Sequence, residues 1–518
     1  MTFWSFYFLA KAYLHFQGSL RLHLLANLLL MALVLLPIPG ETRRERILSP
    51  LRTLLAAILA AALLWHDSWL PAPLHAWRAA AELSGTLSAG YLNRFASGAA
   101  DLSTAAILLA ILIACELAVR RGFKPIVFAF LALFIAGARE FGAPSRTVSQ
   151  RVSQFYEVEK RRVVRLPRPD SGPPFDIVLL HVCSLSWDDL RNAGRLRHPL
   201  LSRFDTLLKN FNTVSSYSTP SALRLFRSLC GQVSQEELYR PWPRECSLLD
   251  ELRGRGYKAY TAMNHHGERR RMAEQLRTFA HAGPTMDARG LAPQLVNFDG
   301  TPIYGNLDVL QRWLQARAAS AEPRALLYYN TITLHGGAHL PVPGWWKEKR
   351  VDQYQRFLDM LSQDLDQFYE LLKRSERNTV VLLIPEHGLG LQGGPLQMAD
   401  LREIPLPELT LVPVGVKFIG KRSPSSRFEI SASSDCVSYM AIADLIASFL
   451  RQPPFNEKER KDATVVVQSP PTSLLTENQK ARITRMEGDF YLYGKEKKWI
   501  KLRSEMIRIL DVSRWTRG

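Results

Sequence analysis

The sequence predicts a multi-span helical membrane domain followed by an α/β sandwich with a mostly parallel central sheet. Three observations predict it. The chain has 518 residues and is 47% hydrophobic, yet its apolar residues crowd into the first 140 positions. Beyond them, three continuous apolar runs of strand length, Asp176–His181, Ala325–Tyr329 and Thr379–Ile384, suit strands covered on both faces. Between those runs lie stretches of helical character, Leu307–Arg317 and Tyr354–Arg377 among them. Strands alternating with helices give a mostly parallel sheet between helical layers.

Five segments of the first domain, 1–140, are candidate membrane spans: 3–18, 21–38, 48–66, 103–119 and 122–138. Several fall a little short of the roughly 20 residues that a straight span needs. The first carries Lys11 and His15 and suits an interfacial position as well as a span. No basic n-region is followed by a small-residue cleavage site, so no cleavable signal peptide is expected. Arg43, Arg44 and Arg46 follow the second segment, and Arg120, Arg121 and Lys124 follow the fourth. Those loops are expected in the cytoplasm, and the nearly neutral loop 67–102 outside. The C-terminal domain then lies outside whether or not the first segment spans.

Residues 141–174 form a polar, arginine- and proline-containing linker to a third region, 175–518. The formal net charge is +18. No basic motif interleaved with aromatics accompanies it, so a nucleic-acid partner is not expected. A basic protein beside a bilayer meets anionic headgroups instead. The tail 452–470 reads as polar loop, and 489–502 as a terminal hairpin.

Ligands of such sheets bind beyond the carboxyl ends of the strands. There the chain places Cys183, the run Asn330–His339 with His335 and His339, and Pro385-Glu386-His387-Gly388. A helix is expected to start near Ser218, with Pro220 in its first turn. A hydroxyl at a helix start either caps it, as Ser218 or Thr219 would, or meets a phosphate drawn to the positive dipole end. Cys183, Glu386 and His387 form a donor set that favours zinc, with the Ser218 hydroxyl as fourth ligand and nucleophile. Taken singly, a Glu-His pair is an ordinary exposed turn and a lone cysteine an ordinary core residue. Of five cysteines, Cys115 lies in a span and Cys436 packs as a small apolar residue. Cys230 and Cys246 either bridge a short loop or stay as two thiols.

These stretches resemble the alkaline phosphatase superfamily, and within it the metal-dependent phosphoethanolamine transferases, most closely those that modify bacterial cellulose. The resemblance covers nearly the whole chain. It rests on Cys183-Ser-Leu-Ser-Trp187, Ser216-Tyr217-Ser218, Cys230-Gly-Gln, Phe298-Asp-Gly, Pro385-Glu386-His387-Gly388 and Val412–Phe418, among others. Lipid A phosphoethanolamine transferases carry a threonine nucleophile and a carboxylate where this chain has Ser218 and Cys183. The resemblance implies an α/β/α sandwich of alkaline phosphatase/sulfatase type.

It further implies an inner-membrane enzyme with a periplasmic catalytic domain. Cys183, Glu386 and His387 would bind one zinc ion. Ser218 would take phosphoethanolamine from phosphatidylethanolamine and pass it to a glucose 6-hydroxyl of nascent cellulose, beside the cellulose synthase complex. Tyr217 and His335 would contact the phosphoryl group, with His335 also an acid or base or else a structural loop residue. His339 and His265 are further candidates for substrate contact. A Cys230–Cys246 bridge fits the family too. One departure stands out: relatives place an arginine in the loop after the Glu-His pair. Here Gly390–Gln397 has none, and Arg402 is the candidate replacement. The alternatives are a phosphodiesterase or sulfatase-like hydrolase, and a non-catalytic scaffold subunit of the synthase.

Overall fold

The computed structural model describes residues 2–36, 43–69, 102–138, 145–168, 172–267, 271–420, 426–431, 436–455, 463–468, 474–494 and 497–509. It forms two compact units. One comprises 1–144 with 393–399, the other the rest of the chain. Most of the loop 67–102 lies outside the described residues.

The first unit is helical: α1 (Thr2–Gln17), α2 (Leu24–Leu35), α3 (Arg43–Asp67), α4 (Leu102–Arg120) and α5 (Pro125–Ala138). These follow the five apolar segments. Two of them, over Ser49–Asp67 and Leu102–Arg120, are long and apolar enough to cross a membrane, and α2 and α5 are shorter apolar helices. Helix α1 packs on α4 and α5, and α2 on α3 and α5. Phe8, Leu22, Ala129 and Leu133 are fully buried among them.

The second unit is built on a six-stranded sheet. Its strands are β1 (Asp176–Val182), β2 (Thr206–Asn212), β3 (Tyr257–Met263), β4 (Arg324–Thr331), β5 (Thr379–Pro385) and β6 (Leu411–Ile419), in the order β2-β6-β5-β1-β4-β3. The β5-β1, β1-β4 and β4-β3 pairs are parallel. Strand β6 runs against both of its neighbours while the other five strands share one direction, so the sheet is mostly parallel, as expected, and mixed through β6 alone. All three apolar runs are strands, and their side chains alternate between two cores as the pleat requires. Ile177, Leu179, Leu326 and Tyr328 join one core. Val178, Leu180, Leu327 and Tyr329 join the other.

On the first face lie α8 (Ser218–Phe226) and α11 (Tyr439–Arg451). On the second lie α7 (Trp187–Asn192), α9 (Asn306–Ala318) and α10 (Arg350–Arg374). Helix α10 shows why: Tyr354, Phe357, Leu358, Leu361, Leu365, Phe368 and Leu372 recur every three or four residues and are all buried. At the sheet edge away from the strand carboxyl ends, Asp176 accepts both arms of the Arg317 guanidinium, at 2.9 and 3.0 Å.

Two expectations are corrected. The polar linker contains helix α6 (Ser145–Glu159), whose Val148 and Val152 pack on Leu475, Tyr491 and Trp499. A sparse stripe of apolar residues on a polar helix is easily read as linker. The tail expected as loop contains β8 (Ala463–Gln468), paired in parallel with β7 (Ser426–Ser431). Its Thr-Val-Val-Val run is strongly strand-forming, but polar flanks dilute it. Residues 456–462 of that tail lie outside the described ones. The terminal hairpin is β11 (Asp489–Tyr493) with β12 (Trp499–Leu502). It belongs to a four-stranded antiparallel sheet with β9 (Leu475–Glu477) and β10 (Arg482–Met486).

Candidate active site

The carboxyl ends of β1 and β5 are adjacent in the sheet, which brings Cys183 beside Glu386 and His387. The chain then leaves β1 through Ser184, which holds a left-handed φ of 64°. Such backbone is costly for a residue with a Cβ and persists only where its surroundings enforce it. Here Tyr354 donates from its hydroxyl to the Ser184 carbonyl at 3.0 Å. After β5, Asp189 accepts from the N–H groups of Leu389 and Leu391, at 2.6 and 2.9 Å, and so fixes the turn beyond His387.

The third contributor is the start of α8. Val214 also has a left-handed φ, 63°, unusual for a β-branched residue. Its N–H donates to Asn212 Oδ1 at 3.0 Å. The loop that follows is held by Asn478 from the C-terminal sheet, which donates to Ser216 Oγ at 2.8 Å and to the Arg402 carbonyl at 2.9 Å. Tyr217 takes the N-cap position without a side-chain cap, and Ser218 is the first helical residue. Ser218 is therefore not a cap. Its hydroxyl is left for other work, beside the first amides of a helix that have no intrahelical acceptor.

The four side chains converge. Ser218 Oγ lies 3.3 Å from His387 Nε2. Cys183 Sγ lies 3.7 Å from Ser218 Oγ and 3.8 Å from His387 Nε2. His387 Nε2 lies 3.7 Å from Glu386 Oε2. A tetrahedral zinc ion with bonds of about 2.0–2.3 Å has ligand–ligand edges of about 3.3–3.6 Å, and these separations, 3.3 to 3.8 Å, lie within a few tenths of an ångström of that range. The donor atoms of Cys183, Glu386 and His387 all lie within 4.8 Å of one another, and all three residues are buried. Glu386 Oε2 is buried without a hydrogen-bond partner, a costly state that a cation would relieve.

The surroundings orient the donors. His387 Nδ1–H donates to the Gly388 carbonyl at 2.8 Å, which turns the Nε2 lone pair toward Ser218 and Cys183. Asn330 donates from Nδ2 to Glu386 Oε1. Asn330 Oδ1 in turn accepts from His265 Nε2 at 2.7 Å. Burial dominates the titration of this site. It raises the Glu386 carboxyl to about 7 and the Cys183 thiol to about 12, and it holds His387 well below the usual imidazole range, with the Arg402 cation adding to that effect.

The remaining expected residues are placed unequally. Arg402 lies against the His387 ring, with Nη1 3.2 and 3.3 Å from its two nitrogens, and over the Tyr217 ring at 5.9 Å. Tyr217 donates from its hydroxyl to Glu403 at 2.8 Å. His335 stacks on Phe298, and its Nδ1 accepts from the Gly337 N–H at 3.2 Å. His339 is engaged elsewhere, stacked on Trp345 at 4.0 Å. Cys230 and Cys246 form a disulfide. Sequence reasoning gave no role to His181, Asn330 or Asn478. His181 is fully buried, with Nδ1 2.9 Å from the Tyr328 hydroxyl and 3.3 Å from Glu386 Oε1.

The family model described as the cellulose biosynthesis protein BcsG N-terminal domain matches residues 4–136, and the model of its C-terminal domain matches residues 138–499. The chain belongs to the BcsG family. Two curated relatives, each called cellulose biosynthesis protein BcsG, agree with this. They come from Salmonella typhimurium LT2 and Escherichia coli K12. Each is 31% identical to the chain, covering 96% of it and 95% of the relative. Among solved structures, the chain is similar to the soluble domain of lipooligosaccharide phosphoethanolamine transferase A from Neisseria meningitidis. That likeness has a TM-score of 0.41 and 14% identity, and covers 55% of this chain and 90% of the other.

Proposed function

We propose that this BcsG-family chain is a zinc-dependent phosphoethanolamine transferase of the bacterial inner membrane. The proposal assigns five spans to 1–140 and a periplasmic catalytic domain to 175–518, joined by 141–174, whose helix α6 packs on the C-terminal sheet. The donor is phosphatidylethanolamine and the acceptor is cellulose, modified beside the cellulose synthase complex. One observation carries the reading: the Ser218 hydroxyl, at a helix start, lies 3.3 Å from His387 Nε2 and 3.7 Å from Cys183 Sγ in a buried set of zinc-type donors.

Cys183, Glu386 and His387 would hold the ion, which supplies the positive charge that lets Ser218 lose its proton near neutral pH. Ser218 Oγ then bonds to phosphorus, and the bond from phosphorus to the glycerol oxygen breaks. Diacylglycerol leaves, and phosphoethanolamine stays on Ser218. A glucose 6-hydroxyl next attacks the same phosphorus, and Ser218 Oγ departs. His335 accepts at Nδ1, so its Nε2 bears the proton. It would give that proton to the leaving glycerol oxygen and recover one from the acceptor hydroxyl. The guanidinium of Arg402 is the positive charge at the site, in the role that relatives give to an arginine in the preceding loop. The first amides of α8 add donors for the phosphoryl oxygens. Tyr217 lines the approach, and His265 acts through Asn330 on Glu386.

The test is product analysis with the full chain in detergent, zinc, phosphatidylethanolamine and swollen cellulose. The proposal predicts diacylglycerol release coupled to phosphoethanolamine on the glucan, with both abolished in Ser218→Ala. Release of free phosphoethanolamine at the same rate without glucan would make the protein a hydrolase. No release of either kind would leave the scaffold role.

A further inference from the structure

Among the described residues, a second group of metal-type donors lies in the helical unit, apart from the active-site residues. It sits where the start of α2 meets the end of α3. His23 occupies the N-cap position of α2 in extended backbone, with φ −86° and ψ 95°, but does not cap the helix. Its Nδ1 lies 2.7 Å from Asp67 Oδ1 instead. The Nδ1 of His66 lies 3.5 Å from the same oxygen. The two imidazoles meet edge to face with centroids 4.3 Å apart. One carboxylate oxygen therefore faces two ring nitrogens.

The other oxygen is already engaged. Asp67 Oδ2 accepts from Lys11 Nζ at 2.6 Å and from Asn27 Nδ2 at 2.8 Å. Asn27 Oδ1 in turn accepts from Lys11 at 2.7 Å. A carboxylate with one oxygen fixed by neighbours and the other turned to imidazoles matches the way protein metal ligands are oriented from behind. Lys11 offsets the Asp67 charge at Oδ2, while Oδ1 shares a proton with His23 Nδ1, the proton that a cation bound there would replace. Exposure rises across the group, from a fully buried Asp67 side chain to His23 at 25% and His66 at 58%, which leaves an entry side.

We propose that His23, His66 and Asp67 form a second divalent-metal site of the zinc class, which clamps the start of α2 to the end of α3. Two imidazole nitrogens and one carboxylate oxygen suit zinc over magnesium or calcium, which favour oxygen ligands throughout. Three protein ligands leave a fourth position for solvent on the His66 side.

The test counts metal on the full chain in detergent, stripped with chelator and re-equilibrated with zinc chloride. The expected content is two zinc ions per chain in the wild type, one in the His23→Ala/His66→Ala double variant, and one in Cys183→Ala. Cobalt(II) gives a second readout that does not depend on the double variant folding. The Cys183→Ala protein should keep visible cobalt bands without thiolate charge transfer. Exposed His66 can then be changed alone, and His66→Ala in that background should lose the bands. One zinc ion in the wild type with none in Cys183→Ala, or no cobalt bands in Cys183→Ala, would overturn the second site. If the Cys183 site alone fails, Cys183→Ala and wild type bind the same single ion and the double variant none.

Discussion

Asn330 shows how much of this site rests on single side chains that bear no charge. Its amide donates to Glu386 and to the His181 carbonyl at 3.2 Å, and its carbonyl accepts a hydrogen bond from His265 Nε2. If Cys183, Glu386 and His387 hold zinc as proposed, Asn330→Ala should weaken that binding about 10–100-fold without removing a ligand. Competition against a chelating dye measures this, and an unchanged affinity would show that Glu386 needs no such support. The proposed ligands were legible in the sequence because they follow strands at the sheet edge where ligands gather. Their orienting partners were not. His181 sits inside an apolar run and reads as one more buried strand position. Asn478 reaches Ser216 across 262 residues of sequence, a contact that no local pattern encodes.

At the scale of elements, the turn after β5 is fixed by α7. A Cβ on Gly388 would stand 2.5 Å from Ser186 Oγ and 2.7 Å from Asp189 Oδ2, and neither can withdraw without breaking its bond to the other. Gly388→Ala should therefore destabilise the second unit by about 1–3 kcal/mol, seen as a lower melting temperature. Asp189 adds a pH dependence. Burial raises its carboxyl to about 6, against an ordinary 3.8, although backbone N–H donors pull it down. The folded state then binds the proton more tightly than the unfolded state. Stability from this group rises as pH falls through about 6, levels off below the ordinary value, and is lost again as pH rises. Asp189→Asn removes that dependence along with an acceptor. The melting-temperature gap between wild type and variant should widen from pH 7 to pH 5, and a gap that narrows would contradict the raised carboxyl. The helix start at Ser218 was legible from Pro220. That Tyr217 would take the cap position was not, because it depends on Asn478 and Arg402 shaping the preceding loop.

For the whole molecule, strand and helix periods revealed the sandwich, since runs such as Thr379–Ile384 are buried on both faces and carry no polar interruption. The reversed direction of β6 could not be read, because pairing direction leaves no mark on an apolar run. Helix α6 was hidden for a related reason: its few apolar residues find their partners in the C-terminal sheet, far along the sequence. The +18 charge was a poor guide to chemistry, since the proposed reaction rests on three buried groups and the half-buried Ser218. The most direct test of that reaction is peptide mass spectrometry on the full chain after incubation with phosphatidylethanolamine and zinc, without acceptor. A phosphoethanolamine adduct on the Ser218 peptide is predicted, absent with chelator and in Cys183→Ala. A folded, zinc-loaded protein that turns over the lipid with no adduct on Ser218 would contradict the account.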